Sequence, residues 1–509
     1  EERLRALWAR LLANVEVGTG DDFFALGADS LKASQLVGLV REAFGVQAPV
    51  SLAYDHPALG AQAAAIDRLR PAPVSGARPP GGSEGLPLSA MQEYFLRWMH
   101  EAADVRAVSA LTVGVRVRDE LDLGALGRAL DALLERHEAL RSVFGRDGER
   151  FVARTLPSSG WPLRVASAGD EAEARRLACE EASRAFDVER GPLCRAVVVR
   201  LGPRDHVLVV AVSHLVCDGW SMGVLLRELG LLYSGHRTGL PAALPAPAVR
   251  IADLFAAERA RWTVTRPFWR RVLDGAPDGF AHVPGRREAS RISARSHAFH
   301  LPAGVAGRLA GVAREHGVTP FMVVLAVWCA VLRRWTGQAD LVLMSPVAGR
   351  PRPELEPVVG CLVQSLLLRL DAGGDPAFGD LLARVRATVL GATEHQHFPY
   401  EELSRGVRWP GWVRYERWSE PAHFPGLESE PFDLPLELML EWPLIEGETD
   451  RGVPELRLIA RLDGSLDGWL IANRHAFEAP VVERLAAAFL DACELACGDP
   501  GRRLSAVAR

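Results

Sequence analysis

Apolar residues recur at helical spacing from the first residues of the chain. Leu4, Leu7, Trp8, Leu11 and Leu12 fall on one face of EERLRALWARLLA and predict an amphipathic helix. Its first residue already lies inside the helical pattern, as expected of a segment cut from a longer polypeptide. A loop rich in Gly and Asp follows, then periodic stretches over 31–44 and 59–69. Together they predict three or four short helices around one small core. Residues 71–85, PAPVSGARPPGGSEG, have no periodicity and read as a linker, so a domain boundary is expected there.

From residue 86 onward, helical and strand patterns alternate. Leu123, Leu126, Leu130, Leu133 and Leu134 form a helical face running into RHEALRSVF (136–144). The continuous apolar run over 206–212 predicts a buried strand, and a helix is expected over 222–233. A second half repeats the alternation, with strands expected near 340–344 and 365–370 and helices near 319–335 and 376–393. The pattern predicts two α/β lobes, about 86–255 and about 256–509.

Composition narrows the function classes. A chain of 509 residues with 48% hydrophobic and 24% charged residues has room for two or three globular domains. Its net charge of −5 provides no basic excess for a phosphate backbone or an anionic membrane, so neither nucleic acid nor membrane is expected as a partner. Seven cysteines without a CxxC pair suggest a reducing cytoplasm; Cys493 and Cys497 read as packing residues, and no metal site is expected. There is no run of 18 apolar residues and no signal-peptide pattern, hence an expectation of a soluble, unexported chain.

Two short segments carry candidate chemistry. In Asp29-Ser30-Leu31, Ser30 stands where a loop meets a helix start. A phosphodiester on its hydroxyl would face free N–H groups and the positive end of the helix dipole, although Asp29 and Ser30 can equally be helix caps. In His214-x-x-x-Asp218-Gly219, a histidine follows the buried strand and can present a nitrogen to a cleft. Asp218 can fix the turn or pair with an arginine. Gly219 would permit close backbone approach, and the next helix start could bind an oxyanion. A core histidine with a turn-capping aspartate is the plain structural alternative.

The segment DDFFALGADSLKASQLV, in a unit ending SLAYDHPALGAQA, resembles the carrier (thiolation) domains of nonribosomal peptide synthetases and polyketide synthases. The resemblance implies 4'-phosphopantetheine on Ser30, with Asp29 and Leu31 helping a phosphopantetheinyl transferase to dock. Lys32, the lone lysine, stands two residues further on. Ala28 replaces the second glycine of the usual peptidyl-carrier motif, and both carrier subtypes fit. LSAMQEYFL (88–96), RHEALRSVF, SHLVCDGWS (213–221), PVAGRPRPELEPVVG (346–360) and HQHFPYEEL (395–403) together resemble a nonribosomal peptide synthetase condensation domain.

That resemblance implies two chloramphenicol-acetyltransferase-like lobes with a tunnel between them. It implies an acyltransferase joining a carrier-bound aminoacyl or peptidyl donor to an acceptor amine, served by an upstream adenylation domain and a downstream acceptor carrier. His214 matches the family's functional histidine, grouped with Asp218 and Gly219. Asp218 matches the family's structural aspartate and Arg350 its salt-bridge partner, and Arg136, Arg141 and Ser213 match structural supports, Ser213 standing where the family has its first histidine. VVGCLVQSL (358–366) departs from the usual pattern at Leu362 and Gln364, and the usual segment after 403 is replaced by SRGVRWPGWVRYERWSEPAHF. These departures keep open a modifying activity such as dehydration. Epimerisation, whose signature segment is replaced by AGRPRPE, and a recruiting role without catalysis are expected less.

Overall fold

The computed structural model describes residues 1–12, 15–71, 86–101, 110–246, 249–289, 291–398, 400, 410–417, 424, 427–434, 441–443, 452–498 and 501–507. Most of the expected linker, 72–85, and parts of 395–403 and 404–424 therefore lie outside the described residues.

The N-terminal unit consists of α1 (Glu2–Leu11), α2 (Ser30–Phe44), the single turn α3 (Leu52–Asp55) and α4 (Leu59–Ile66). Trp8, Phe23, Leu36, Val40 and Leu59 are fully buried at its centre. The Trp8 indole satisfies its one donor by bonding Gln62 Oε1 at 2.9 Å. Asp29 starts α2 by accepting from the Lys32 amide at 2.9 Å, and Gly45 ends it in the left-handed region that an αL cap requires.

The next lobe begins with α5 (Ala90–Glu101), β1 (Ala110–Val117), α6 (Leu123–Arg136), a 3-10 turn (Glu138–Arg141), β2 (Ser142–Asp147) and β3 (Arg150–Thr155). It continues through β4 (Leu163–Ser167), α7 (Glu171–Ser183), β5 (Cys194–Gly202), β6 (Asp205–Ser213) and α8 (Gly219–Thr238). β6 is the middle strand of a five-stranded sheet and is paired antiparallel with β1 and β5. Its residues 206–213 are all buried, which is why an unbroken apolar run encodes it.

The second lobe follows α9 (Ile251–Leu273) and contains β7 (Arg291–Leu301), α10 (Ala303–Glu315), α11 (Pro320–Thr336), β8 (Asp340–Val347), β9 (Gln364–Asp371) and α12 (Phe378–Glu394). β10 (Gly411–Arg417), β12 (Glu441–Pro443), β13 (Glu455–Ala460) and β14 (Leu466–Asn473) complete a seven-stranded sheet ordered β12-β7-β14-β13-β10-β8-β9. α11 is apolar on all sides and is buried from Met322 to Leu332, as befits the lobe's central helix.

The lobes are not contiguous in sequence. A division near 255 falls inside α9, and β11 (Ser429–Pro431) crosses back to pair with β1 in the first lobe's sheet. Three residues carry too little alternation to reveal such a crossing. Cys493 is buried in the C-terminal helix Ala479–Gly498, and all seven cysteines are free thiols.

Candidate active site

β6 ends at Ser213, whose buried hydroxyl accepts from the Leu215 amide at 3.4 Å, and the chain then turns through His214. The imidazole lies against the Phe95 ring of α5, with centroids 4.7 Å apart. Its Nδ1 faces the Cys361 thiol at 4.0 Å, and the ring is also bonded to backbone groups of His214 and Cys217. Burial pushes the His214 pKa below its ordinary 6.5, although its own carbonyl and Asp218 oppose the shift. The ring is therefore neutral at pH 7 and can accept a proton.

α5 holds this turn in place. Ser89 and Gln92 form a reciprocal capping box at its start: the Ser89 amide donates to Gln92 Oε1 at 3.0 Å, and the Gln92 amide donates to Ser89 Oγ at 3.1 Å. The Gln92 side chain then reaches across to donate to the Leu215 carbonyl at 2.7 Å. A small indentation lies beside it, lined by Gln92, Phe144, Val216, Ile251 and Phe255.

Asp218 has a different task from His214. Its carboxylate is buried and fully engaged: Arg350 donates to both oxygens at 2.9 and 3.1 Å, and the amides of Ser221, Leu362 and Val363 donate at 2.8, 2.9 and 3.0 Å. The guanidinium also donates to Ser221 Oγ and to the carbonyls of Ala348 and Val358. Arg350 can enter because Gly349 precedes it with φ +64; a Cβ there would stand 1.8 Å from the Leu362 carbonyl oxygen.

Two expectations are corrected here. Asp218, grouped with His214 although matched to a structural aspartate, has no oxygen left for a reacting group and acts only as the structural clamp. A Cβ on Gly219 would meet nothing of this chain within 4 Å, so no neighbouring backbone requires a glycine there. Of the amides at the start of α8, that of Ser221 is already bonded to Asp218.

The arginines of the 136–144 segment support the lobe away from the imidazole. Arg136 donates to Glu228 on α8 at 2.9 Å, beside His137, which bonds the same carboxylate at 2.8 Å. Arg141 donates to the Leu134 and Leu156 carbonyls, tying α6 to the end of the β2–β3 hairpin.

Residues 83–412 match the family described as Condensation domain, and residues 2–66 match Phosphopantetheine attachment site. The chain belongs to the condensation-domain family of nonribosomal peptide synthetases. Malpibaldin synthetase of Mortierella alpina is 35% identical over 417 residues, which cover 79% of the chain and 8% of that synthetase. The phosphinothricin tripeptide synthetase PhsB of Streptomyces viridochromogenes is 33% identical over 420 residues, covering 79% of the chain and 35% of the synthetase. The chain thus spans a small part of the length of these relatives. The X-domain from teicoplanin biosynthesis has the same fold, with TM-score 0.73, 24% identity and coverage of 84% and 98% of the two chains. So does the first condensation domain of the calcium-dependent antibiotic synthetase, solved with a substrate analogue, with TM-score 0.66, 21% identity and coverage of 83% and 98%.

The carrier domain suits 4'-phosphopantetheine. Ser30 is exposed at the first position of the 15-residue α2, and its hydroxyl is hydrogen-bonded to that of Tyr54. Leu31 is half-buried beside it, and Lys32 contributes its amide to the Asp29 cap. The carrier rests on the condensation domain through α2. Gln35, 1% exposed, donates to Glu356 Oε1 at 2.9 Å and to the Arg350 carbonyl at 3.4 Å. The Arg10–Glu354, Arg41–Glu394 and Asp55–Arg386 ion pairs surround this contact. The Trp220 indole, in the first turn of α8, donates to the Glu356 carbonyl at 2.8 Å. The surface under the carrier is therefore continuous with the Asp218–Arg350 clamp.

Phe95, Cys361 and Glu258 escaped sequence reasoning as parts of the site. Each belongs to a different element, and no spacing in the sequence connects them to His214.

Proposed function

We propose that this chain transfers a carrier-bound aminoacyl or peptidyl donor to the amine of an acceptor, forming an amide, with Ser30 as the attachment point and His214 as the proton-handling residue. The observation that carries the reading is the neutral imidazole of His214. Its Nδ1 faces Cys361, its ring packs on Phe95, and its turn is locked by Gln92 and the Asp218–Arg350 clamp. When attached, the phosphopantetheine group supplies a thiol that carries the acyl donor as a thioester.

Amide formation from a thioester and an amine is downhill, so orientation and exclusion of water are the protein's main contributions. The amine loses one proton as it attacks; His214 accepts it or holds the amine in line, and the displaced thiol takes up a proton. Asp218 and Arg350 keep the turn in register. The seating of α2 against residues 350–356 supports delivery from the chain's own carrier. The partners that complete this reading are a phosphopantetheinyl transferase, an upstream adenylation domain and a downstream acceptor carrier, all in the cytoplasm.

The test uses the loaded holo chain, an amine-bearing acceptor carrier and mass spectrometry. Transfer of the acyl group to the acceptor is expected, with loss of product in Ser30→Ala. His214→Ala should lower the rate by roughly 10²–10⁴-fold, the usual contribution of a positioned acid or base, with little change in melting temperature. Loss of one water from the donor, inversion at unchanged mass, or no change at all would replace this reading with dehydration, epimerisation or recruitment.

A further inference from the structure

Glu258 of α9 is buried in the junction between the lobes, and its carboxyl touches two elements that serve His214. Its Oε1 accepts from the backbone N–H of Ala90, the first residue of α5, at 2.8 Å. Its Oε2 accepts from Gln364 Nε2 at 3.3 Å. Among the described residues it forms no ion pair. Beyond Ala90, α5 carries Gln92 and Phe95, which hold the His214 turn and the His214 ring. Next to Gln364 stand Leu362 and Val363, whose amides hold Asp218, and Cys361, whose thiol faces His214 Nδ1.

We propose that Glu258 is a positioning residue for the reaction at His214: its carboxylate caps α5 and orients Gln364, anchoring at one point the two elements that hold the imidazole and Asp218. The role rests on the amide-forming reading of His214.

A carboxylate in this place competes with its own burial, which pushes the Glu258 pKa up to about 7 against the Ala90 and Gln364 hydrogen bonds. The charged groups facing it are Glu93 of α5, which favours the proton, and Arg259 of α9, which disfavours it; these two pair with each other. The Cys361 thiol, itself held protonated by burial, lies on the third side. Below pH 7 the added proton resides on Oε2, since Oε1 accepts from Ala90. An O–H then meets the Gln364 N–H, donor against donor. The Gln364 amide must turn, giving up its 3.4 Å bond to the Leu362 carbonyl. Above pH 7 both bonds form and the site is in register.

The holo chain tests this in single turnover with an acceptor carrier between pH 5.5 and 8.5. The wild-type rate should rise through a midpoint near 7, falling about tenfold from its plateau one pH unit below that midpoint. Glu258→Gln cannot titrate, so its acid limb should move to the His214 pKa, below 6.5; Glu258→Asp should restore a limb set by a carboxylate. An acid limb unmoved in Glu258→Gln overturns the proposal. The His214 ring signal in the NMR spectrum of the wild-type chain provides a second readout that needs neither the variant's folding nor product. It should show an inflection near pH 7 in addition to its own, and absence of that inflection overturns the proposal. If the inflection is present while no amide forms, the amide-forming reading fails and the positioning of the ring stands.

Discussion

Asp218 and Arg350 form the most heavily bonded pair around the active site, and neither reaches a substrate. Removing one partner of a buried ion pair strands the other without compensation, so Asp218→Ala should cost about 3–5 kcal/mol. A chemical-denaturation midpoint close to wild type would argue against the clamp. By contrast, His214→Ala breaks no ion pair and should shift that midpoint much less. At this scale the sequence was informative where residues lie close together. His214, Asp218 and the possible helix cap at Asp29 could be read from spacing, and Arg350 from resemblance. The division of labour between His214 and Asp218 followed from the resemblance, but the amides of Leu362 and Val363 that complete the Asp218 site, about 145 positions further along the chain, did not. No sequence pattern singled out Glu258; only its contacts with Ala90 and Gln364 join it to the site.

Among the elements, the segment 345–364 ties the clamp to the second lobe's sheet. It runs from the end of β8 through the Arg350 loop to the start of β9, and it is pinned where Gly349 lets the chain fold back on Leu362. Gly349→Ala would impose left-handed strain of roughly 1–3 kcal/mol and displace the Leu362 carbonyl as well. Loss of stability together with slowed transfer is expected, read by a melting curve and single-turnover rate; a variant as stable and fast as wild type would sink this account. Long elements with clear periods were legible in advance: β6 as an apolar run, α8 and α11 as apolar helices, α2 from its heptad-like face. β11 and the single-turn α3 were not. Three or four residues bury too little surface to show a period, and both form because longer neighbours provide an edge or a surface to complete.

For the whole molecule, the carrier's seat on the condensation domain is the largest unexpected feature. Gly38 of α2 faces the Pro351 carbonyl, where a Cβ would stand 2.7 Å from the oxygen. Gly38→Leu should therefore push the carrier off its seat. The carrier fold should survive, since the substitution raises helix propensity by up to about 1 kcal/mol. An increased radius of gyration by small-angle scattering, with unchanged helical content, is the expected result; an unchanged radius would show that the seat tolerates the side chain. Residue order was enough to predict that a small helical unit precedes two α/β lobes, from local periods, and to mark Ser30 and His214, from short motifs whose combination resembles a family. Folding in three dimensions was needed to fix that β11 crosses to the first lobe's sheet, that the carrier rests on the loop of Arg350, that Phe95 and Cys361 flank the imidazole, and that Glu258 joins the elements bearing them. Such contacts arise when distant faces exclude water together, and nothing in the local order of residues records which faces will meet.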